Sequence, residues 1–363
     1  MRVYRFPKAA GIETLALFEE PTPTPARGQI LVRMRAASLN YRDLNVAAGK
    51  PARGSIPENL IPLSDGAGEV VAVGPDVTRV AVGDRIAGLF MQTWLGGALE
   101  PEHVASSRGG AIDGVLAEYV LFDQDGVVKL PDHLSYAEGA TLPCAALTAW
   151  NALYGGRPLQ PGETVLVLGT GGVSIFALQF AHAAGARVIA TSSSDEKLAR
   201  ARELGATEGV NYRTHPEWDT QVLALTGGRG VDHVVEVGGA GTLSRSIEAT
   251  RHGGQVHLIG VLTGGEINPT PILRRTLMVR GIYVGSREMF MAMNRALSLH
   301  ELRPVIDRVF PFADARAAYD HMKSRAHVGK IVIEIGEPDD VPAGAMSHGT
   351  GTKAGPGCGP PEA

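Results

Sequence analysis

The chain has 363 residues, a net charge of −4 and 44% hydrophobic residues, a globular composition with room for two domains. The small charge and the absence of a basic block argue against nucleic acid or an anionic membrane as a partner. Two cysteines, Cys144 and Cys358, exclude a disulfide framework and a four-cysteine zinc site. The sequence has no apolar leader and no apolar run of the ~18 residues that span a membrane, so we expect a cytoplasmic protein.

Residues 1–145 carry short β-type runs separated by glycine and proline. Examples are residues 29–35, 68–74 and 117–122, with a turn signal at residues 82–85. This alternation predicts an antiparallel or barrel-like β domain.

From residue 146 the pattern changes to strands that alternate with helices. The apolar strand-like runs are residues 164–168, 187–191, 231–237, 254–261 and 281–285. Helical patterns at residues 174–184, 195–204 and 242–249 separate several of them. This arrangement predicts βαβ units around a buried parallel sheet, so the expected fold class is α/β.

The last part of the chain returns to the first domain in our interpretation. Helical patterns at residues 288–299 and 313–323 precede an apolar strand at residues 330–335. Residues 287–336 would then complete the domain of residues 1–145, with a dinucleotide-binding domain at residues 146–286. Residues 337–363 contain 6 glycines and 5 prolines, a composition that predicts a disordered tail.

A glycine-rich loop, GTGGVS at residues 169–174, follows the first parallel strand and opens a helix. In that context such a loop predicts a dinucleotide site. Gly169 permits the tight turn, and Gly171 lets backbone amides approach a pyrophosphate that the helix N-terminus stabilises. Ser174 occupies a position that needs a small residue for helix–strand contact.

The choice of cofactor depends on the end of the second strand, about 20 residues beyond the loop. Ser192 stands where NAD-binding units carry an acid, with Ser193 beside it and Lys197 one turn further along. Hydroxyl groups and an ammonium suit a 2′-phosphate, so these residues favour NADP(H) over NAD(H). In the competing interpretation Asp195 or Glu196 binds the ribose, although Ser193 and Glu196 also have the spacing of a capping box.

Further motifs occur in a fixed order along residues 1–335. They are SLNYRD (38–43), PLSDGAGEV (62–70), VGDR (82–85), LPCAALTAW (142–150) and HVGKIV (327–332). With the glycine loop, they make the chain resemble the medium-chain dehydrogenase/reductase superfamily, in particular its zinc-independent quinone-oxidoreductase-like branch. The resemblance implies a GroES-like β domain, a Rossmann domain, a cofactor cleft between them, and a homodimer or homotetramer.

The chain departs from the zinc alcohol dehydrogenases of this superfamily, in which two cysteines and a histidine or acid hold the catalytic metal. Asn40 takes the place of the first cysteine and Ser64 that of the histidine, while Cys144 matches the second cysteine. Zinc requires three nitrogen, sulfur or carboxylate ligands, so we expect no zinc. Asp43 and Asp65 could complete an unusual ligand set with Cys144, an alternative that stays open.

Without a metal, hydrogen bonds must polarise the substrate carbonyl. The resemblance implies that Asn40, Tyr41 and Arg42 face the cofactor. Asn40 could donate to the substrate oxygen or orient the nicotinamide ribose, Tyr41 could donate a proton, and Arg42 could act electrostatically. In the alternative interpretation neither residue is catalytic: Tyr41 only packs against its neighbours, and Arg42 forms an ion pair with Asp43 or Asp65. Asp65, the fourth catalytic candidate, is expected to fix the Asn40 loop rather than act as a base.

The resemblance implies further cofactor contacts at strand ends and in the HVGKIV motif. With the loop, the candidate cofactor-binding residues are Thr148, Gly169, Thr170, Gly171, Gly172, Val173, Ser192, Ser193, Lys197, Tyr212, Gly238, Gly260, Val261, Leu262, Val284, Gly285, Ser286 and Lys330.

These observations predict an NADP(H)-dependent, zinc-independent oxidoreductase that transfers a hydride between nicotinamide and a small quinone, enone or activated carbonyl or alcohol. A zinc-containing or NAD-dependent alcohol dehydrogenase is the alternative within enzymes. A non-catalytic NADPH-binding sensor or structural protein is the alternative of another class.

Overall fold

The computed structural model describes residues 1–50, 55–260 and 262–336. Its strands are β1 (Arg2–Arg5), β2 (Ala16–Glu19), β3 (Gln29–Leu39), β4 (Asp65–Val73), β5 (Arg85–Gly88), β6 (Tyr119–Asp123), β7 (Val127–Lys129), β8 (Thr164–Leu168), β9 (Arg187–Ser192), β10 (Glu208–Asn211), β11 (Val231–Glu236), β12 (Thr250–Leu258), β13 (Met278–Gly281), β14 (Ile306–Pro311) and β15 (Lys330–Glu334). Its α-helices are α1 (Tyr41–Ala47), α2 (Pro101–Val104), α3 (Tyr136–Gly139), α4 (Leu147–Tyr154), α5 (Gly172–Ala183), α6 (Asp195–Glu203), α7 (Trp218–Leu225), α8 (Ala240–Ala249), α9 (Thr270–Arg274), α10 (Arg287–Leu299) and α11 (Ala315–Ser324).

The first sheet is mostly antiparallel and follows the order β14-β15-β3-β4-β5-β7, and β6 also pairs with β3. Helix α11 packs against β3, β14 and β15. Its buried residues, Ala315, Ala318, Tyr319 and Met322, recur at the spacing of one helical face, which explains why this segment is helical and where it docks.

The register of this sheet brings distant parts of the chain to one edge. Strand β4 begins at Asp65 and β15 begins at Lys330, on either side of the C-terminal end of β3. Asn40, the first residue after β3, therefore lies between the first residues of two neighbouring strands.

The second sheet is parallel and follows the order β10-β9-β8-β11-β12-β13. In chain order these strands are numbered 3-2-1-4-5-6, the doubly wound order of a Rossmann domain. Every residue of β8 is buried, as expected for a central parallel strand covered on both faces. The switch point lies between β8 and β11, where the glycine loop leaves β8.

The two sheets are joined at the glycine loop. The Gly329 amide donates to the Thr170 carbonyl oxygen at 2.9 Å, and Gly171 and Gly329 form a parallel bridge. Residue 330 then begins β15. The segment that is hydrogen-bonded to the dinucleotide loop therefore continues directly into the first sheet.

The expected α/β fold, with a GroES-like domain and a Rossmann domain, is confirmed. The strand expected at residues 281–285 is wrong, because β13 ends at Gly281 and Val284 has a left-handed φ of +59° that a strand does not contain. The expected disordered tail, residues 337–363, lies outside the described residues. Within the described residues no helix is long and apolar enough to cross a membrane.

Candidate active site

The Asn40 loop is held by a buried lysine. Lys330 Nζ donates to Asn40 Oδ1 at 2.6 Å and also to the Leu39 carbonyl oxygen. The backbone amide of Asn40 donates to Asp43 Oδ2 at 2.7 Å, at the start of α1. Asn40 Nδ2 is buried and makes no hydrogen bond of normal length within the described residues, although it faces the Asp65 carboxylate closely enough to lower the pKa of that group. The loop therefore presents one fixed carboxamide whose donor group has only this weak partner.

Asp65 is fully buried behind this loop. Its carboxylate accepts hydrogen bonds from Ser64 Oγ at 2.6 Å and from the Cys144 amide at 2.9 Å. Burial raises the pKa of Asp65, while the Lys330 ammonium, the Ser64 hydroxyl and the Asn40 carboxamide oppose that rise. Both carboxylate oxygens thus bind groups of the protein, and Asp65 ties β4 to the segment before α4.

Arg42 points into the β domain. Its guanidinium lies 4.7 Å from the centroid of the Phe90 ring and donates to the Arg108 carbonyl oxygen at 3.0 Å. It also lies 3.7 Å from Asp43 Oδ1. These contacts are those of a packed side chain with an ion-pair partner, and an electrostatic role of Arg42 in catalysis stays a prediction.

Tyr41 opens α1 and is 37% exposed. Its hydroxyl oxygen accepts a hydrogen bond from Arg325 Nη2 at 3.4 Å. The phenol is therefore accessible, unlike the buried carboxamide of Asn40.

The glycine loop fits a dinucleotide. Gly169 has a φ of +71°, and a Cβ atom on Gly169 or Gly171 would meet no atom within 4 Å, so open space lies above the loop. Helix α5 begins at Gly172 without a side-chain cap, which leaves the backbone amides of its first turn for a phosphate. Ser174 Oγ donates to the Leu168 carbonyl oxygen at 2.6 Å, so this serine serves the helix–strand contact.

Ser192 ends β9 and is buried, and Ser193 and the cap of α6 follow it. The helix cap is Ser194, whose Oγ accepts from the Lys197 amide at 3.3 Å. The capping box expected between Ser193 and Glu196 is therefore wrong by one residue, because the helix begins at Asp195.

Asp195, one of the two acids of the competing interpretation, already has a partner, and so does Lys197, the expected phosphate ligand. Asp195 Oδ1 accepts from Asn211 Nδ2 at 2.9 Å. Lys197 Nζ donates to the carbonyl oxygens of Arg325 at 2.8 Å and His327 at 3.3 Å. Burial lowers the pKa of Lys197. Two of the three ammonium protons thus bind carbonyl oxygens of the segment that follows α11.

Tyr212 lies beside Ser192, because its amide donates to the Ser192 carbonyl oxygen at 3.0 Å, and its ring is exposed. Arg325 belongs to the same region but was missed in the sequence. Its backbone binds Lys197, while its guanidinium binds Tyr41. Its position just before the HVGKIV motif was the available signal, yet nothing in the sequence places it beside residue 197.

The remaining candidates line the other strand ends. The Leu262 amide donates to the Gly238 carbonyl oxygen at 3.1 Å, which joins the segments after β11 and β12. A Cβ atom on Gly260 would lie 1.8 Å from the Val237 carbonyl oxygen, so only glycine fits there. Val261 lies outside the described residues.

The segment of residues 284–286 is anchored from α4. Asn151 Nδ2 donates to the Val284 carbonyl oxygen at 2.6 Å. Gly285 lies against Leu147, and Ser286 caps α10 by accepting from the Met289 amide at 3.3 Å. Thr148 is buried in the same helix as Asn151.

The donor groups at the position of the zinc ligands do not fit zinc. Asn40, Ser64 and Cys144 supply an amide, a hydroxyl that already donates to Asp65, and one thiol. Burial raises the pKa of the Cys144 thiol, which opposes the thiolate that zinc binds. Within the described ranges no group of three or more His, Cys, Asp or Glu side chains is arranged to hold a metal ion.

Comparison with known proteins covers most of the chain. Residues 26–132 match the family model for the alcohol dehydrogenase GroES-like domain, and residues 172–298 match that for zinc-binding dehydrogenases. A zinc-type alcohol dehydrogenase-like protein of Schizosaccharomyces pombe is 44% identical over 85% of this chain and 91% of its own. A quinone oxidoreductase of Sus scrofa is 30% identical over 92% of this chain and 96% of its own.

Solved structures of alcohol dehydrogenases and related proteins share this fold. A structure described as an NAD-dependent alcohol dehydrogenase has a TM-score of 0.85 at 34% identity and covers 93% of this chain and 100% of its own. A cobalt- and zinc-bound alcohol dehydrogenase from Pyrobaculum aerophilum has a TM-score of 0.78 at 30% identity, over 92% and 99% of the two chains. A mycobacterial protein in complex with NADPH has a TM-score of 0.76 at 26% identity, over 92% and 99%.

A glycine loop at the switch point of a parallel sheet, facing a buried polar cluster of a GroES-like domain, defines an NAD(P)-dependent oxidoreductase. With the matches above, the chain belongs to the medium-chain dehydrogenase/reductase superfamily.

Proposed function

We propose that this protein is an NADP(H)-dependent, zinc-independent reductase of quinones, enones or related activated carbonyls. The observation that carries the proposal is the contact between Lys330 and Asn40. At the position where zinc relatives bind the metal, this chain has a carboxamide, and an ammonium group of the protein already lies 2.6 Å from its oxygen. A second cation there would be repelled by that ammonium, and in a buried site water screens this repulsion little.

The preference for NADP(H) rests on the groups around the end of β9. Lys197 lies in the first turn of α6, just after Ser192, and the nearby carboxylate of Asp195 is bound by Asn211. Hydroxyl groups and cations suit a 2′-phosphate, whereas a free carboxylate would repel it.

When bound, the nicotinamide supplies the hydride. Asn40 Nδ2, which has no partner at normal hydrogen-bond length, would donate to the substrate oxygen and stabilise the negative charge that develops on it. Tyr41, exposed at the start of α1, would supply the proton that completes reduction. Asp43 and Asp65 hold the loop and the Cys144 segment in place.

We also propose that two copies associate through β13. This strand ends the parallel sheet, and its Met278 side chain is 48% exposed, with Leu273 79% exposed on the preceding helix α9. An exposed strand edge with apolar side chains is suited to pairing with a second copy. Light scattering of the purified protein tests this, since a monomer would contradict it.

The test of the function is steady-state oxidation of NADPH with 9,10-phenanthrenequinone and a panel of enones. We expect turnover with members of this panel and little with simple alcohols and NADP⁺. Tight binding of NADPH without turnover of any of these compounds would contradict the proposed reductase activity. It would support a sensor or structural role instead. Turnover limited to alcohols, with NAD⁺ and stoichiometric zinc, would support the alcohol dehydrogenase alternative.

A further inference from the structure

Lys330 is a buried lysine whose hydrogen bonds go to neutral oxygens. The residue is 3% exposed, and its ammonium binds the carbonyl oxygens of the Asn40 side chain and the Leu39 backbone. Asp65 and Asp43 act on it as nearby charges, and burial lowers its pKa. Burying a charged group is costly, so these contacts determine where the ammonium can lie.

The stem of the same side chain lies under the dinucleotide loop. A Cβ atom on Gly172, the first residue of α5, would lie 2.7 Å from Lys330 Cδ. Gly329, the residue before Lys330, donates a hydrogen bond from its backbone amide to the Thr170 carbonyl oxygen. Lys330 therefore contacts both the loop expected to bind the pyrophosphate and the loop that carries Asn40.

The chemistry of the two groups dictates how Asn40 is turned. An ammonium group can only donate, so the Asn40 carboxamide must direct its oxygen toward Lys330 and its Nδ2 away from it. The backbone of Asn40 is fixed separately by Asp43. Without the ammonium, the carboxamide could exchange its oxygen and nitrogen by a half rotation.

We propose that Lys330 is a positioning residue of the hydride-transfer site. Its ammonium orients the Asn40 carboxamide so that Nδ2 faces the substrate oxygen, and its stem and backbone fix that group relative to the bound dinucleotide. This inference rests on the proposed function, since it assigns Asn40 the role of donor to a carbonyl.

A double-mutant cycle tests the proposal. Lys330→Met removes the ammonium and keeps the stem, Asn40→Ala removes the carboxamide, and Lys129→Met, at a half-exposed ion pair with Asp84, is the control. We expect Lys330→Met to lower the single-turnover rate of NADPH oxidation about 10- to 100-fold and to change the NADPH Kd by less than about threefold. In the Asn40→Ala background the same substitution should add less than about twofold.

Equal losses in the two backgrounds would overturn the proposal, as would a rate loss that weaker NADPH binding accounts for in full. If Lys330→Met does not fold, Lys330→Leu, which also removes the donor, takes its place with the same expected outcomes.

Hydrogen exchange supplies a readout that needs no turnover. In the NADPH complex, the backbone amides of residues 39–44 should exchange faster in Lys330→Met than in wild type. Their exchange rates in Lys129→Met should equal those of wild type. Unchanged exchange in Lys330→Met would overturn the inference. Faster exchange together with a wild-type protein that reduces no compound of the panel would contradict the proposed function and leave the positioning contact supported.

Discussion

Lys197 donates a hydrogen bond from Nζ to the carbonyl oxygen of Arg325 at 2.8 Å. This bond joins α6 of the Rossmann domain to the end of α11, 128 residues further along the chain. The guanidinium of Arg325 then reaches the Tyr41 hydroxyl at the start of α1. Three segments that are far apart in the sequence are therefore joined around Arg325.

Substituting Arg325 should change the choice of cofactor. Arg325→Ala removes a cation that can bind a 2′-phosphate, so we expect the Kd for NADPH to rise about tenfold and that for NADH by less than about twofold. Fluorescence titration with both cofactors measures this. Arg295→Ala, on the exposed face of α10, is the matched control and should change neither. An equal loss for NADPH and NADH in Arg325→Ala would contradict the assignment.

Substituting Lys197 should act in the same direction through a different route. Lys197→Met removes the two bonds that hold the carbonyls of Arg325 and His327, and it removes a positive charge. We expect NADPH binding to weaken by about 10-fold and NADH binding by clearly less. Isothermal titration of both cofactors checks this, and equal weakening would mean that Lys197 only holds the segment of residues 325–327.

Ser174 should contribute to stability rather than to cofactor choice. Ser174→Ala leaves the buried Leu168 carbonyl oxygen without its side-chain donor, which should lower the free energy of unfolding by about 1–2 kcal/mol. Ser174→Val adds bulk at the helix–strand contact and should cost about 1–3 kcal/mol. Urea unfolding measures both, and a valine variant as stable as wild type would show that this contact tolerates size.

A buried histidine should make the protein acid-sensitive. His257 lies against His233 in the core of the parallel sheet, and burial, aided by His233, lowers the pKa of His257 to about 3. The unfolded chain binds this proton near pH 6.5 and the native state does not. Stability is therefore fully present above pH 6.5 and falls by about 1.4 kcal/mol per pH unit below it.

Urea unfolding at pH 7.0 and 5.0 measures this effect. Wild type should lose about 2 kcal/mol more between these pH values than His257→Gln does. His252→Gln, at an exposed histidine of the same strand, should behave as wild type. Identical pH dependence of wild type and His257→Gln would contradict the burial of a neutral His257.

The fold followed from local patterns, whereas the site depended on contacts over long distances in the chain. The runs that became β8 and β9 and the GTGGVS loop were evident because hydrophobic period and glycine chemistry act over a few residues. Strand β10 is short and half-buried, so no apolar run marked it. The contacts of Lys330 with Asn40 and of Lys197 with Arg325 span 290 and 128 residues, and spacing within a motif carries no information on them. The cap of α6 was misplaced by one residue because three successive serines offered the same hydroxyl.

Metal analysis combined with kinetics tests whether this protein transfers a hydride without a metal. Zinc content is measured on the purified protein before and after dialysis against a chelator, alongside NADPH oxidation with 9,10-phenanthrenequinone. We expect far less than one zinc per chain and the same turnover in both samples. One zinc per chain, with turnover lost on its removal and restored by its return, would contradict it.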